Sequence, residues 1–242
     1  MTSNATDMQT HCKADMALVA TFHLLRWKHA AGMVPALVFD RVRYRQTKGL
    51  QFLRVLGTGK GSSTAPGTEF GRTALFCLFN DEQSADAHIA RVGSRRGLAE
   101  SWHVKLRGAG GHGSWHGVQI PQLMHDAGVQ AAPGPVAFIT RANIRARSWR
   151  AFSRDAAVID KELHQSDGLL AVVGVGEAPI LRLGTFSVWR DVAAMNNFAQ
   201  RQPEHHRVVA RTRTERWYGE EMFARFTPYE STGSWDGRNP LL

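Results

Sequence analysis

A chain of 242 residues with 43% hydrophobic residues can bury one large core or two smaller ones that share an interface, which excludes general disorder. Its 30 Lys and Arg against 21 Asp and Glu give a net charge of +9, which favours an anionic partner without saying which. Cys12 and Cys77 are isolated from each other and lack metal-finger spacing, which excludes a disulfide scaffold and a structural zinc finger, and Cys77 reads as core.

The most apolar early run, Met16 to Leu25, contains His23 and falls well short of the ~20 residues that cross a bilayer. No secretion signal precedes it, so a cytoplasmic location is expected. The basic clusters, Arg41 to Lys48, Arg141 to Arg154 and Arg207 to Arg216, read first as solvated helix faces. Nucleic acid, the propionates of a buried haem, and acidic lipid headgroups with the peripheral membrane contact they imply are the other uses for them.

In chain order, a first strand near Leu18 to Leu25 and a helix lead to a strand at Phe52 to Gly59. The strand Ala74 to Phe79 alternates, with Phe76 and Leu78 on one face, and runs into a helix that Asp81 caps and that Ala85, Ile89 and Val92 anchor. A last strand near Trp102 to Arg107 ends at Gly113-Ser114-Trp115-His116-Gly117. The same succession then recurs. Val136 to Ile144 opens it, Leu169 to Gly176 matches Phe52 to Gly59, and Gly184 to Asp191 matches Ala74 to Asp81. Val192, Met195 and Phe198 form the helix stripe, Met222 to Thr227 the last strand, and Gly233-Ser234-Trp235-Asp236-Gly237 the ending.

The expected fold is therefore α+β, a tandem duplication of a ferredoxin-like βαββαβ unit, with repeats at residues 15–128 and 129–242 joined near Gly128 to Pro135. Each unit would carry two helices on one face of an antiparallel sheet. The bare faces would pack sheet to sheet, with an apolar cavity between sheets and helices.

Gly57-Thr58-Gly59-Lys60-Gly61 matches no phosphate-loop pattern and reads as a hairpin loop. His112 and His116 flank Trp115 at four-residue spacing, but the surrounding glycines argue for a loop and against a paired metal site. His103 lies on a strand and faces either a cavity or solvent. His205 and His206 fall on a helix with an apolar stripe at Val208, Val209 and Trp217 and a polar face at Arg207, Arg211, Arg213 and Arg216. On residue type alone both read as surface histidines.

Leu56 to Gly61, Trp102-x-Val104, Gly174 to Pro179, Phe186-Ser187-Val188-Trp189 and Glu220 to Phe226 resemble segments of the spheroidene monooxygenase family, the carotenoid ketolases of phototrophic bacteria. The resemblance runs from about Leu18 to the C-terminus. It departs in extra polar residues at the start and in a loop, Gly61 to Gly67, that lacks the aromatic residue usual there. It implies a fold like the dimeric α/β barrels and a haem-dependent monooxygenase that introduces a keto group on an acyclic carotenoid, with an electron donor such as ferredoxin.

The cofactor implied is haem b, since no CxxCH is present for covalent attachment. The resemblance makes His205 the proximal iron ligand, with His206 in reserve, and places Arg213 near a haem propionate. Phe186, Trp189 and Phe198 are expected to wall the pocket, although aromatic residues at strand spacing are more often plain core.

Two other functions remain open at this level. Arg182 to Trp189 is a partial match to an RNA-binding strand, so a tandem ferredoxin-like RNA-binding module is an alternative, although the motif is incomplete and no nucleic acid is expected. Non-catalytic carriage of haem or an apolar ligand is the other.

Overall fold

The computed structural model describes residues 18–59, 68–124, 133–177, 182–201 and 203–242. Cys12, the loop Gly61 to Gly67 and residues 128–132 of the expected linker lie outside them. The first half runs β1 (Val19–Trp27), α1 (Met33–Tyr44), β2 (Leu50–Gly59), β3 (Thr68–Phe79), α2 (Glu82–Gly93) and β4 (Leu98–Gly113). A short α3 (Ile120–Leu123) follows. The second half runs β5 (Val136–Ile144), α4 (Trp149–His164), β6 (Leu169–Glu177), β7 (Arg182–Trp189), α5 (Val192–Arg201), α6 (Pro203–Thr214) and β8 (Tyr218–Gly233).

The strand order is β4-β1-β3-β2 in the first half and β8-β5-β7-β6 in the second, with antiparallel neighbours throughout. The halves meet edge to edge, β2 on β6 and β4 on β8, in a closed barrel of eight strands. This corrects the expectation of two separate sheets packed face to face. The reason lies in β4 and β8, each 16 residues long, which overrun their own halves and pair from Trp102↔Gly233 to Gly113↔Met222.

Gly108 to Gly113 reads as loop in the sequence but is the continuation of β4, carried past a register shift between Gly108 and Gly111. Gly111 has φ 138°, and a Cβ there would stand 2.0 Å from the Phe223 carbonyl oxygen, so only glycine lets the strands approach this closely. His112 thus sits on a strand, with its ring stacked on Phe223 at 5.0 Å, while His116 turns away to Glu177 at 2.9 Å.

Alternation along the strands drives one face of each into the barrel. Phe22, Phe76, Trp102, Phe186, Met222 and Phe226 meet there, all buried, and Phe22 stacks on Phe186 with centroids 3.8 Å apart and planes 4° from parallel. The barrel is filled by its own side chains and is no container. Asp81 and Asp191 cap α2 and α5 as the sequence suggests, accepting from the backbone N–H of Ser84 and Ala194 at 2.7 Å each.

The two Gly-Ser-Trp turns insert Trp115 and Trp235 into the same core. Each is held by a glutamate from the other half. Glu220 accepts from Ser114 Oγ and Gly117 N–H, both at 2.8 Å, and Glu100 accepts from Ser234 Oγ at 2.8 Å and Gly237 N–H at 2.7 Å. Burial alone would raise the Glu220 pKa, but the Gly117 N–H, the Ser114 hydroxyl and the Arg141 guanidinium outweigh it and hold the carboxyl at about 2.

Candidate functional site

The outer faces of the two half-barrels are covered by helices, and they are covered differently. Over the first half, Leu25, Trp27, Met33, Tyr44, Leu75 and Phe79 belong to a dense cluster that closes the space between the strands and helices α1 and α2. Over the second half, the buried cluster consists of Val136, Leu163, Trp189 and Ala194. What it leaves is a cavity of about 320 Å³ between β5, β7 and β8 on one side and α4, α5 and α6 on the other.

The strand side of this cavity is Phe138, Thr140, Leu183, Thr185, Ser187, Trp189 and Phe223, and the helix side is Phe152, Ala156, Ile159, Leu163, Met195, Phe198 and Val208. The few polar atoms on the strand side are occupied with one another. Thr140 and Thr185 share a hydrogen bond at 2.7 Å, and Trp189 Nε1 donates to Ser187 Oγ at 3.0 Å. Trp189 and Phe198 meet at 5.5 Å between centroids, and Tyr218 closes an edge against Phe152 at 6.4 Å. Burial, with Glu221 adding to it, pushes the Tyr218 phenol above its usual range, so it stays neutral.

Arg141 adjoins the cavity on β5 and is 5% exposed, but it has the parity of Ile139 and the register of Met222, so its side chain turns to the barrel interior, where Nη1 donates to Glu220 with Glu177 4.0 Å from Nη2. An apolar slot of this kind suits a flat or elongated apolar molecule. No histidine or cysteine stands among the described lining residues.

Of the residues singled out in the sequence, Trp189 and Phe198 lie on this wall. Phe186 faces the barrel interior instead, because it is three residues before Trp189 on a strand whose side chains alternate. His103 lies over the first half, buried against α2 and bonded to His23. His205 and Arg213 are on α6, the helix that brings Val208 to the cavity, but the side chains of His205, His206 and Arg213 lie outside the described residues.

The sequence reading missed Phe138, Phe152, Tyr218 and Phe223. Strand parity was the signal available for part of this set. Residues Thr185, Ser187 and Trp189 share a face of β7, and the register pairs Thr140 of β5 with Thr185 of β7 and with Phe223 of β8.

No family model matches the chain. It is 37% identical over 215 residues to a spheroidene monooxygenase of Rubrivivax gelatinosus, covering 87% of this chain and 78% of that one. A spheroidene monooxygenase of Rhodobacter capsulatus is 28% identical over 232 residues, covering 92% and 95%. Among solved structures, an aldoxime dehydratase in complex with butyraldoxime superposes with a TM-score of 0.57 at 10% identity, over 88% of this chain and 80% of that one. A second aldoxime dehydratase gives 0.55 at 12% identity, over 88% and 82%. These two likenesses concern the fold. The identity to the Rubrivivax enzyme, sustained over most of both chains, makes this protein a member of the spheroidene monooxygenase family.

Proposed function

We propose that the protein is a haem-dependent monooxygenase that oxidises an acyclic carotenoid in the cavity beneath α4, α5 and α6. The observation that carries this reading is the contrast between the halves: in a member of this family, the second half holds an apolar cavity where the first half is packed. The reading fits a haem group in that the walls are ring-lined and apolar.

Haem, when bound, supplies the activation of dioxygen that no side chain can perform. Everything else falls to the chain. His205 on α6 is the proposed proximal ligand, one helical turn before the cavity residue Val208. Arg213 would offset propionate charge. Phe138, Phe152, Trp189 and Phe198 hold the ring and the polyene by apolar contact and exclude water. Thr140 and Thr185, bonded to each other, present little competing polarity to a hydrocarbon.

The two halves are proposed to be copies of one ferredoxin-like unit, at 15–128 and 129–242. The common strand order, the two aspartate caps and the reciprocal glutamate locks on the tryptophan turns support this. Reducing equivalents would come from an acidic protein such as a ferredoxin, which the +9 charge favours. Against the RNA-binding alternative, the strand aromatic that would stack on a base, Phe186, is fully buried inside the barrel.

Among the described residues no helix is long and apolar enough to cross a membrane. Contact with the cytoplasmic face of an anionic bilayer, where such a substrate dissolves, is proposed through α1. Its outward face exposes Val34 at 57%, and Val38, Phe39 and Val42 at 58% each, with Arg41 and Arg43 bordering the stripe on either side. A second copy would set those arginines against like charge, whereas anionic headgroups complement them.

The test of function is turnover. Purified protein with ferredoxin, its reductase and oxygen is expected to convert an acyclic carotenoid to a product carrying one oxygen atom from O₂. Unaltered substrate across a panel of acyclic carotenoids would refute the reading.

A further inference from the structure

The packed half holds a group of side chains that the proposed oxygenase chemistry does not use. Between the outer face of β1 and β3 and helix α2, one donor atom each from His23, Cys77 and His88 lies within 4.8 Å of the other two, and all three residues are fully buried. We infer that His23, Cys77 and His88 bind a thiophilic d¹⁰ metal ion of the copper(I) type, independently of the cavity beneath α4, α5 and α6.

The spacing is the first reason. Cys77 Sγ and His88 Nε2 stand 3.6 Å apart, an ordinary thiol–imidazole hydrogen-bond distance in the metal-free protein. It is the separation expected of a sulfur at about 2.3 Å and an imidazole nitrogen at about 2.0 Å from one ion, at an angle near 115°. His88 also leaves Nδ1 buried without a hydrogen bond, its ring being held by His23, Tyr44 and Phe79.

The shell behind these residues is the second. His23 Nδ1 and His103 Nδ1 are 2.8 Å apart, and His103 Nε2 meets Ser101 Oγ at 3.1 Å. When His23 donates from Nδ1 along this chain, its Nε2 carries a lone pair, as a metal ligand requires. Thr21 Oγ1 is 2.8 Å from that nitrogen and also bonds the Cys77 sulfur, so His23 Nε2 and Cys77 share one small region. Tyr44 and Phe79 close over His88 at 4.9 and 5.2 Å between centroids and keep the region dry.

Charge selects the ion. On binding, the Cys77 S–H bond breaks, a sulfur–metal bond forms, and one proton leaves to buffer with no change of oxidation state. One thiolate and two neutral imidazoles around a monovalent ion leave the site uncharged, whereas a divalent ion would leave an unpaired positive charge in a fully buried place.

The test is an anaerobic titration of the full-length, haem-loaded protein with copper(I) held by a chromophoric chelator, and in parallel with Zn²⁺. One copper per chain is expected to survive desalting, with X-ray absorption giving one sulfur and two nitrogen scatterers. Cys77→Ser and His88→Gln should each weaken copper binding at least tenfold, while His116→Gln, on the surface, leaves it unchanged. Should the two core variants fail to fold, the scatterer count on the unaltered protein decides alone. No retained copper, a shell without sulfur, or binding indifferent to both core substitutions would overturn the site, and tighter retention of zinc than of copper would overturn the copper assignment.

Discussion

Phe186 shows what a single position on a strand decides. Its ring lies flat on Phe22 across the barrel interior, joining a strand of one half to a strand of the other. Phe186→Ala is therefore expected to destabilise the fold by about 3–5 kcal/mol through the cavity it opens, readable as a lowered denaturant midpoint. In the sequence, Phe186 and Trp189 look like equivalent aromatics of one motif, and the period of two separates them into core and cavity wall. That period was legible, but which face of the strand meets the free volume was not. Arg141 carries no comparable signal, since nothing local tells a buried arginine from the exposed members of its cluster.

The buried histidines make a second prediction at this scale. His88 and His103 titrate at about 4 in the folded chain, below the 6.5 of an unfolded histidine, because burial penalises their charged form. A lowered histidine pKa means that the unfolded chain takes up protons first as pH falls. The stability of the metal-free protein should then be complete above about pH 6.5 and fall steadily down to about pH 4. His88→Gln should flatten that slope in urea midpoints taken across the range, and a slope unchanged by the substitution would contradict the assignment.

Among the elements, α2 and α5 were readable to their first residues, because Asp81 and Asp191 cap them with local chemistry that needs no tertiary context. The lengths of β4 and β8 were not readable, since their glycine-rich ends become strand only by pairing with a distant partner. Helix α1 is apolar on two faces, and only the structure tells which one is buried: Met33, Ala36 and Tyr44 point inward, and the valine stripe is left outside. Val38→Asp with Phe39→Asp should at least halve the fraction that floats with phosphatidylglycerol-containing vesicles. The unaltered protein should lose binding in high salt. Equal flotation of both proteins would contradict the bilayer contact.

On α6, neighbouring positions differ by ~100° around the helix, so His205 and His206 cannot serve one iron alike. His205→Ala should shift the Soret band and lower haem occupancy, with His206→Ala close to the unaltered protein. The reverse result would move the ligand to His206.

At the scale of the molecule, one barrel carries two helical covers that differ, one over a dense buried cluster and one over a cavity. The recurring pattern of strands and caps was visible in the sequence, as was the α+β class. The closure of the barrel and the location of the free volume were not, because both depend on how tightly side chains far apart in the chain fill the same space. Oxidation is proposed to happen in that free volume. Ala156 lies on α4 at the cavity wall, away from the barrel core, so Ala156→Trp should fill the cavity without loosening the fold. The measurement is oxygen-dependent conversion of an acyclic carotenoid by this variant, with its melting temperature as a control: turnover is expected to fall at least tenfold at near-unchanged melting temperature, and full turnover with the cavity filled would contradict the account.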